Sequence, residues 1–93
     1  MDLDIEHDID NNRFVAETEH GQATLEYLRA DQDTLDYTST FVPVEDRGDG
    51  LGEKLVLYAL DWAEENDFHV IATCPFVRRV LEQHPERSGV EAG

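Results

Sequence analysis

Alternating apolar and polar residues dominate the first half of the chain, a pattern typical of strands with one buried face. Residues 13–18 and 22–29 are two such runs, separated by a turn that contains Gly21, and they predict a hairpin. Residues 34–42 alternate again and predict a third strand. Its expected buried face carries Leu35, Tyr37 and Phe41, and its other face carries Asp36, Thr38, Thr40 and Val42. The opening stretch DLDIEHDID is compatible with a further edge strand.

Helical spacing replaces this alternation from residue 51 onward. The apolar face of the predicted helix consists of Leu51, Leu55, Tyr58, Ala59, Trp62 and Ala63. We expect the helix to end within residues 64–67, with Asn66 in the left-handed conformation as its C-terminal cap.

Residues 68–73 (FHVIAT) are rich in β-branched side chains and predict a short strand. Pro75 suits the first turn of a second helix, which we expect to run to Gln83 and to stop before Pro85. We expect the tail over residues 88–93 to be disordered.

The predicted element order is therefore β-β-β-α-β-α in a single domain over residues 1–93. A helix that joins two strands of one sheet implies a crossover between parallel strands. We expect an α/β (α+β) fold with a mixed sheet, in which an antiparallel N-terminal meander precedes the β-α-β-α segment.

Composition narrows the classes of function. Seven basic against 22 acidic residues give a net charge of −15, which argues against nucleic acid as a partner. Acids spread along the whole chain favour a salt-adapted, halophilic protein, with an acidic DNA mimic or an acidic interaction module as the alternative. No signal peptide or membrane-spanning run is recognisable, so we expect a cytoplasmic protein without a membrane partner. The single cysteine, Cys74, excludes an internal disulfide.

The segment Arg47-Gly48-Asp49-Gly50-Leu51-Gly52 leads directly into the first predicted helix. Free amides at a helix N-terminus, approached through glycines, suit a phosphate group. Four of the seven basic residues lie between 47 and 79, which also favours an anionic ligand there. The alternative is a plain turn without a ligand.

The pattern Arg47-x-x-Gly50-x-Gly52 resembles the [Q/R]-x-x-G-x-[G/A] signature of the GNAT N-acetyltransferase superfamily. T-F-V-P (40–43), C-P-F-V (74–77) and H-P-E (84–86) follow the order expected of a short GNAT-like family. The resemblance covers about residues 35–86.

This resemblance implies acetyl-CoA as the cofactor. The strand segment Thr40, Phe41 and Val42 would pair with the pantetheine arm through its backbone and direct an amide at the thioester carbonyl. The turn would hold the pyrophosphate, and Arg47 or Lys54 would add screening charge; the alternative is that these two are solvated surface charges. The implied cofactor-binding residues of the turn and helix are Arg47, Gly48, Asp49, Gly50, Leu51, Gly52 and Lys54.

Catalytic groups are few. Asp36 lies four residues before Thr40, on the expected same strand face, and resembles the base carboxylate of some GNAT enzymes; the alternative is an exposed strand acid. Cys74, before a helix N-terminus, is a candidate acid or acyl acceptor, with an inert buried thiol as the alternative. Ser39 stands where many relatives would carry His. No metal site is expected.

A GNAT domain is usually longer and has additional helices that form one wall of the acceptor pocket. Their absence here predicts an open acceptor side, and the acidic field favours a cationic acceptor, such as an amine on a protein (a Lys or the N-terminus) or a polyamine. The predicted activity is N-acetyl transfer by direct attack on the thioester. The alternatives are a non-catalytic acyl-CoA-binding module and an acidic interaction module.

Overall fold

The computed structural model describes residues 4–48, 50–84 and 90–92. In chain order the elements are β1 (Ile5–Asp8), β2 (Arg13–Thr18), β3 (Gly21–Asp31), β4 (Thr34–Phe41), α1 (Leu51–Glu65), β5 (His69–Ala72), α2 (Pro75–Gln83) and β6 (Val90–Ala92), with 3₁₀ turns at Ile9–Asn11 and Val44–Asp46. The sheet has the order β1-β2-β3-β4-β5-β6. Strands β1 to β4 are antiparallel, whereas β5 and β6 run parallel to β4. The predicted mixed sheet is confirmed.

Both helices cover the same face of this sheet. They contact each other, and between them they contact the four central strands, β2 to β5. The fully buried side chains come from alternate strand positions and from the inner sides of the helices, and the largest are Tyr37, Phe14, Leu25, Leu35, Leu55, Val56, Val77 and Val80. No helix of the described residues covers the opposite face, which we call the open face.

The N-terminal segment forms the edge strand that its sequence allowed. The His7 ring of β1 stacks on Phe14 at a centroid distance of 4.1 Å and meets Trp62 edge-on at 4.3 Å. Its Nε2 lies 2.6 Å from the Tyr27 hydroxyl. These contacts attach a strand rich in acids to the aromatic part of the core.

A β-bulge between β3 and β4 changes which side chains face the core. Tyr37 lies opposite Tyr27 and Ser39 lies opposite Glu26, so Thr38 is an extra residue on β4. The alternation is therefore inverted beyond Thr38. The predicted buried position of Phe41 is wrong for this reason: its side chain is 54% exposed on the open face.

The end of α1 and the C-terminal segment of the chain also differ from the predictions. Asn66 is not left-handed, with a φ of −105°, and Asp67 takes that conformation instead with a φ of 61°. Asn and Asp both tolerate the left-handed conformation, so the sequence could not decide which of these two neighbours adopts it. The disordered tail predicted over 88–93 is not found at Val90–Ala92, where backbone pairing with β5 forms β6; residues 88, 89 and 93 lie outside the described residues.

Neither α1 nor α2 combines the length and the apolar character that a membrane span requires, as judged over the residues the structure describes.

Tyr37 joins β4 to α1 through a buried hydrogen bond, because its hydroxyl donates to the Ala59 carbonyl oxygen at 2.6 Å. We expect Tyr37→Phe to lower the free energy of unfolding by about 1 to 2 kcal/mol. Tyr58→Phe on the exposed side of α1 is the matched control and should change it by less than about 0.5 kcal/mol. Urea unfolding in constant high salt measures both; equal effects would contradict the assigned role of the Tyr37 bond.

Candidate active site

Strands β4 and β5 separate after a short parallel pairing. Their last matched pair is Tyr37 and Ala72, and the Cys74 N–H closes the pairing by donating to the Tyr37 carbonyl oxygen at 3.0 Å. Beyond this point β4 continues along β3 alone, while the other chain turns into α2 at Pro75. The edge of β4 from Thr38 to Phe41 is thus unpaired on its β5 side within the described sheet.

The turn that follows β4 ends in a helix N-terminus without a side-chain cap. Gly48 and Gly50 have φ values of 95° and 77°, a region that glycine enters without strain. Gly50 is the N-cap of α1, and the first helical bond runs from the Lys54 N–H to the Gly50 carbonyl oxygen. Apart from its two chain neighbours, no described residue has a heavy atom within 4 Å of a Cβ placed on Gly50, so there is open space beside the N-cap of α1. This geometry fits a phosphate group.

Gly52 has a different role, since it allows α1 and α2 to approach closely. A Cβ on Gly52 would lie 2.9 Å from Cζ of Phe76 and 3.2 Å from Cγ2 of Val42. The Phe76 ring therefore packs directly against the first turn of α1.

Two adjacent cavities follow from this arrangement. The phosphate cavity, of about 340 Å³, has walls formed by Val42, Asp46, Arg47, Gly48, Gly50, Leu51, Gly52, Glu53, Phe76, Arg79, Val80 and Gln83. The arm cavity, of about 270 Å³, is formed by Thr40, Val42, Arg47 and Phe76. Because they share Val42, Arg47 and Phe76, the two cavities form one groove from the glycine turn to the separated strands.

Two basic residues and two residues with carboxylates line the phosphate cavity. Arg47 is held there by its Nε, which donates to the Val42 carbonyl oxygen at 2.9 Å, and Arg79 approaches from α2. The carboxylates belong to Asp46 and Glu53.

Each of these carboxylates is paired with a histidine. His20 Nδ1 lies 2.9 Å from Asp46 Oδ1, and His84 Nε2 lies 2.7 Å from Glu53 Oε1. Hydrogen bonding from Thr18 and from His20 lowers the pKa of Asp46, and the same bond to Asp46 raises the pKa of His20. The residues that line the cavity therefore take part in two carboxylate–histidine pairs in addition to supplying two arginines.

Most of the predicted cofactor-binding residues lie along this groove, with three exceptions. Phe41 points to the open face, and Lys54 is exposed on α1 and lines neither cavity. Asp49 lies outside the described residues.

The two predicted catalytic residues are not brought together. Cys74 is buried, with its Sγ 3.5 Å from the Thr40 hydroxyl at the inner end of the arm cavity. Asp36 lies opposite Leu28 on the open face, whereas Thr40 lies opposite the buried Leu25. The prediction that Asp36 and Thr40 share a face is wrong, because the bulge at Thr38 separates them.

The sequence reasoning missed the contribution of α2 to the groove. Phe76, Arg79, Val80 and Gln83 all line the phosphate cavity. Arg79 belonged to the basic cluster recognised in the sequence, but spacing did not distinguish it from Arg78, whose Nε donates to the Ala72 carbonyl oxygen. As an apolar residue at the exposed start of an amphipathic helix, Phe76 was only weakly indicated as a residue of the groove.

A mixed sheet with a separated parallel pair, ending at a glycine-rich helix N-terminus, defines an acyltransferase-type α+β fold. The profile of the GCN5-related N-acetyltransferase family matches residues 13–90. The chain belongs to this family.

Relatives and a solved structure agree with this assignment. Protein NATD1 of Xenopus tropicalis is 29% identical over 83 residues, which cover 87% of this chain and 76% of that protein. Protein NATD1 of Danio rerio is 28% identical over 91 residues, covering 96% and 83%. The solution NMR structure of a GCN5-like protein from Staphylococcus aureus superimposes with a TM-score of 0.75 at 28% identity, over 98% of this chain and 89% of that one.

The contact between Gly52 and Phe76 is testable by a double-mutant cycle. Gly52→Ala should destabilise the protein by about 1 kcal/mol, since the end of the Phe76 ring must shift to make room. In a Phe76→Ala background the same change should be neutral or stabilising by up to about 1 kcal/mol, because Ala favours a helix over Gly. Chemical unfolding of the four proteins measures this coupling; identical effects in both backgrounds would refute the contact.

Proposed function

We propose that the protein binds acetyl-CoA in the groove and transfers its acetyl group to an amine. The observation that carries this proposal is the continuity of the groove, which joins the uncapped amides of α1 to the unpaired edge of β4. Membership of an N-acetyltransferase family supports the same reaction.

The chain offers a binding group for each part of such a molecule. The first-turn amides of α1, with Arg47 and Arg79, suit the diphosphate. The unpaired edge of β4 offers backbone N–H and C=O groups to an amide-containing arm, as an added strand would. Phe76 and Val42 provide the apolar wall of that arm's path.

Acetyl-CoA supplies a thioester carbonyl, which an amine attacks as CoA leaves. A backbone N–H of β4 beyond Tyr37, held by the pairing with β3, would stabilise negative charge on the carbonyl oxygen. We propose Cys74 as the acid that donates a proton to the leaving sulfur from the core side. We propose Asp36 as the base that accepts the amine proton from the open face, through a water molecule.

The open face fits a cationic acceptor. Asp36 and Glu26 place carboxylates on it, and Leu28 and Phe41 add exposed apolar surface at 60% and 54% exposure. No helix of the described residues encloses this side. We therefore propose an amine on a protein, a Lys or the N-terminus, or a polyamine as the acceptor, since either can reach an unenclosed acidic surface.

A non-catalytic acyl-CoA-binding module is the second candidate. It is favoured by Ser39, which lies where a His base would be expected and whose hydroxyl donates instead to Glu26 Oε1 at 3.1 Å. Binding of acetyl-CoA without acetyl transfer to polyamines or Lys peptides would select this candidate.

Calorimetric titration with acetyl-CoA in molar salt tests the binding step. We expect wild-type protein to bind and Gly50→Glu to abolish detectable binding, because the added carboxylate would stand in front of the first-turn amides. The left-handed φ of 77° strains any side chain at this position, so Gly50→Ala, which adds the strain without the charge, is the control for folding and should still bind. Gln32→Glu adds the same charge at the β3–β4 turn and should bind like wild type. Undiminished affinity of Gly50→Glu, or no binding by wild type, would contradict the proposal.

Steady-state acetylation of a Lys peptide tests the two catalytic assignments. Asp36→Asn and Cys74→Ala should each lower kcat by about a hundredfold with little change in KM, as expected for lost proton transfer. Glu26→Gln on the open face is the matched control for Asp36→Asn and should retain most activity, whereas Cys74→Ser, which keeps the size of the side chain but is a far weaker acid, should lose activity like Cys74→Ala. An unchanged kcat in Asp36→Asn or Cys74→Ala would remove that residue from the mechanism.

A further inference from the structure

An acidic residue is among those that line the cavity that suits an anion. Asp46 belongs to the 3₁₀ turn before Arg47 and lines the phosphate cavity, with a side chain that is only 12% exposed. An ionised carboxylate at this position would oppose a bound diphosphate, and the net charge of −15 strengthens that opposition. Anion binding therefore depends on what offsets the charge of Asp46.

His20 is the group that can offset it. It lies at the β2–β3 turn, 26 residues away in sequence, with its Nδ1 2.9 Å from Asp46 Oδ1. The second oxygen, Oδ2, is fully buried and makes no well-formed hydrogen bond within the described chain, although Thr18 is near enough to favour the ionised form. Asp46, Glu45 and Glu19 all favour the protonated form of His20.

We propose that His20 is a proton-dependent counter-charge of the phosphate site, so that coenzyme binding is coupled to protonation of His20. This inference rests on the proposed function. With imidazolium at His20, the pair with Asp46 is neutral overall; with neutral imidazole, a net negative charge faces the diphosphate. His20 would act as a positioning and charge-balancing residue without touching the reacting atoms.

The direction of the pH dependence follows from linkage. The pKa of His20 is raised above its ordinary value of 6.5 by the hydrogen bond to Asp46. Since linkage is reciprocal, a bound diphosphate raises this pKa further, and loss of the proton weakens binding. Affinity should therefore be highest at pH values below the titration of His20 and should fall as pH rises through it. One pKa unit of coupling corresponds to about a tenfold change in Kd.

The probe is acetyl-dephospho-CoA, because the 3′-phosphate of CoA itself titrates near neutral pH. We expect its Kd for wild-type protein, measured calorimetrically at constant ionic strength, to rise about tenfold between acidic and alkaline pH. His20→Gln should bind at every pH as weakly as wild type at alkaline pH. His20→Lys, with a permanent cation, should bind tightly across the whole range.

His69→Gln removes a histidine at the other end of the sheet and should keep the wild-type pH profile. The Glu53–His84 pair is present in all these proteins, so its contribution cancels in their comparison. Equal pH slopes in wild type and His20→Gln, with or without a constant difference in affinity between the two, would overturn the coupling and leave at most a structural role. Wild-type protein that binds the probe at no pH would instead refute the proposed function itself.

Discussion

The site depends on the first-turn backbone amides of α1, for which the described residues provide no side-chain cap. Gly50 gives that helix an N-cap without a side chain, and its left-handed conformation opens the space in front of the first turn. A glycine N-cap costs stability, by roughly a few tenths of a kcal/mol relative to a Ser or Asp cap. This chain has few other groups that bind anions. A helix end without a side-chain cap is therefore consistent with a ligand that supplies hydrogen-bond acceptors to the first-turn amides.

The separation of β4 from β5 and the approach of α2 to α1 have one geometric origin. The Cys74 N–H closes the strand pairing at Tyr37, and Pro75 then begins α2 immediately. The first turn of α2 consequently lies across the open end of the sheet, where the Phe76 ring meets Gly52.

Local patterns predicted the elements well, because alternation and helical spacing report burial directly. They failed where one residue changed a register: the extra residue at Thr38 moved Phe41 to the open face and placed Asp36 and Thr40 on opposite faces. The glycine turn was recognisable from spacing alone. The ion pairs of His20 and His84 with cavity carboxylates were not, since they join residues 26 and 31 positions apart. Long-range contacts between polar residues leave no periodic trace in a single sequence.

The most direct test of diphosphate binding at the first-turn amides of α1 is nuclear magnetic resonance of isotope-labelled protein titrated with CoA. Saturable shifts should be largest for the amides of Gly50, Leu51, Gly52 and Glu53 and for the unpaired edge of β4. The β1–β2 end of the sheet should change little. If CoA binds while the first-turn amides of α1 keep their free-state shifts, the diphosphate lies elsewhere and the account of this site is wrong.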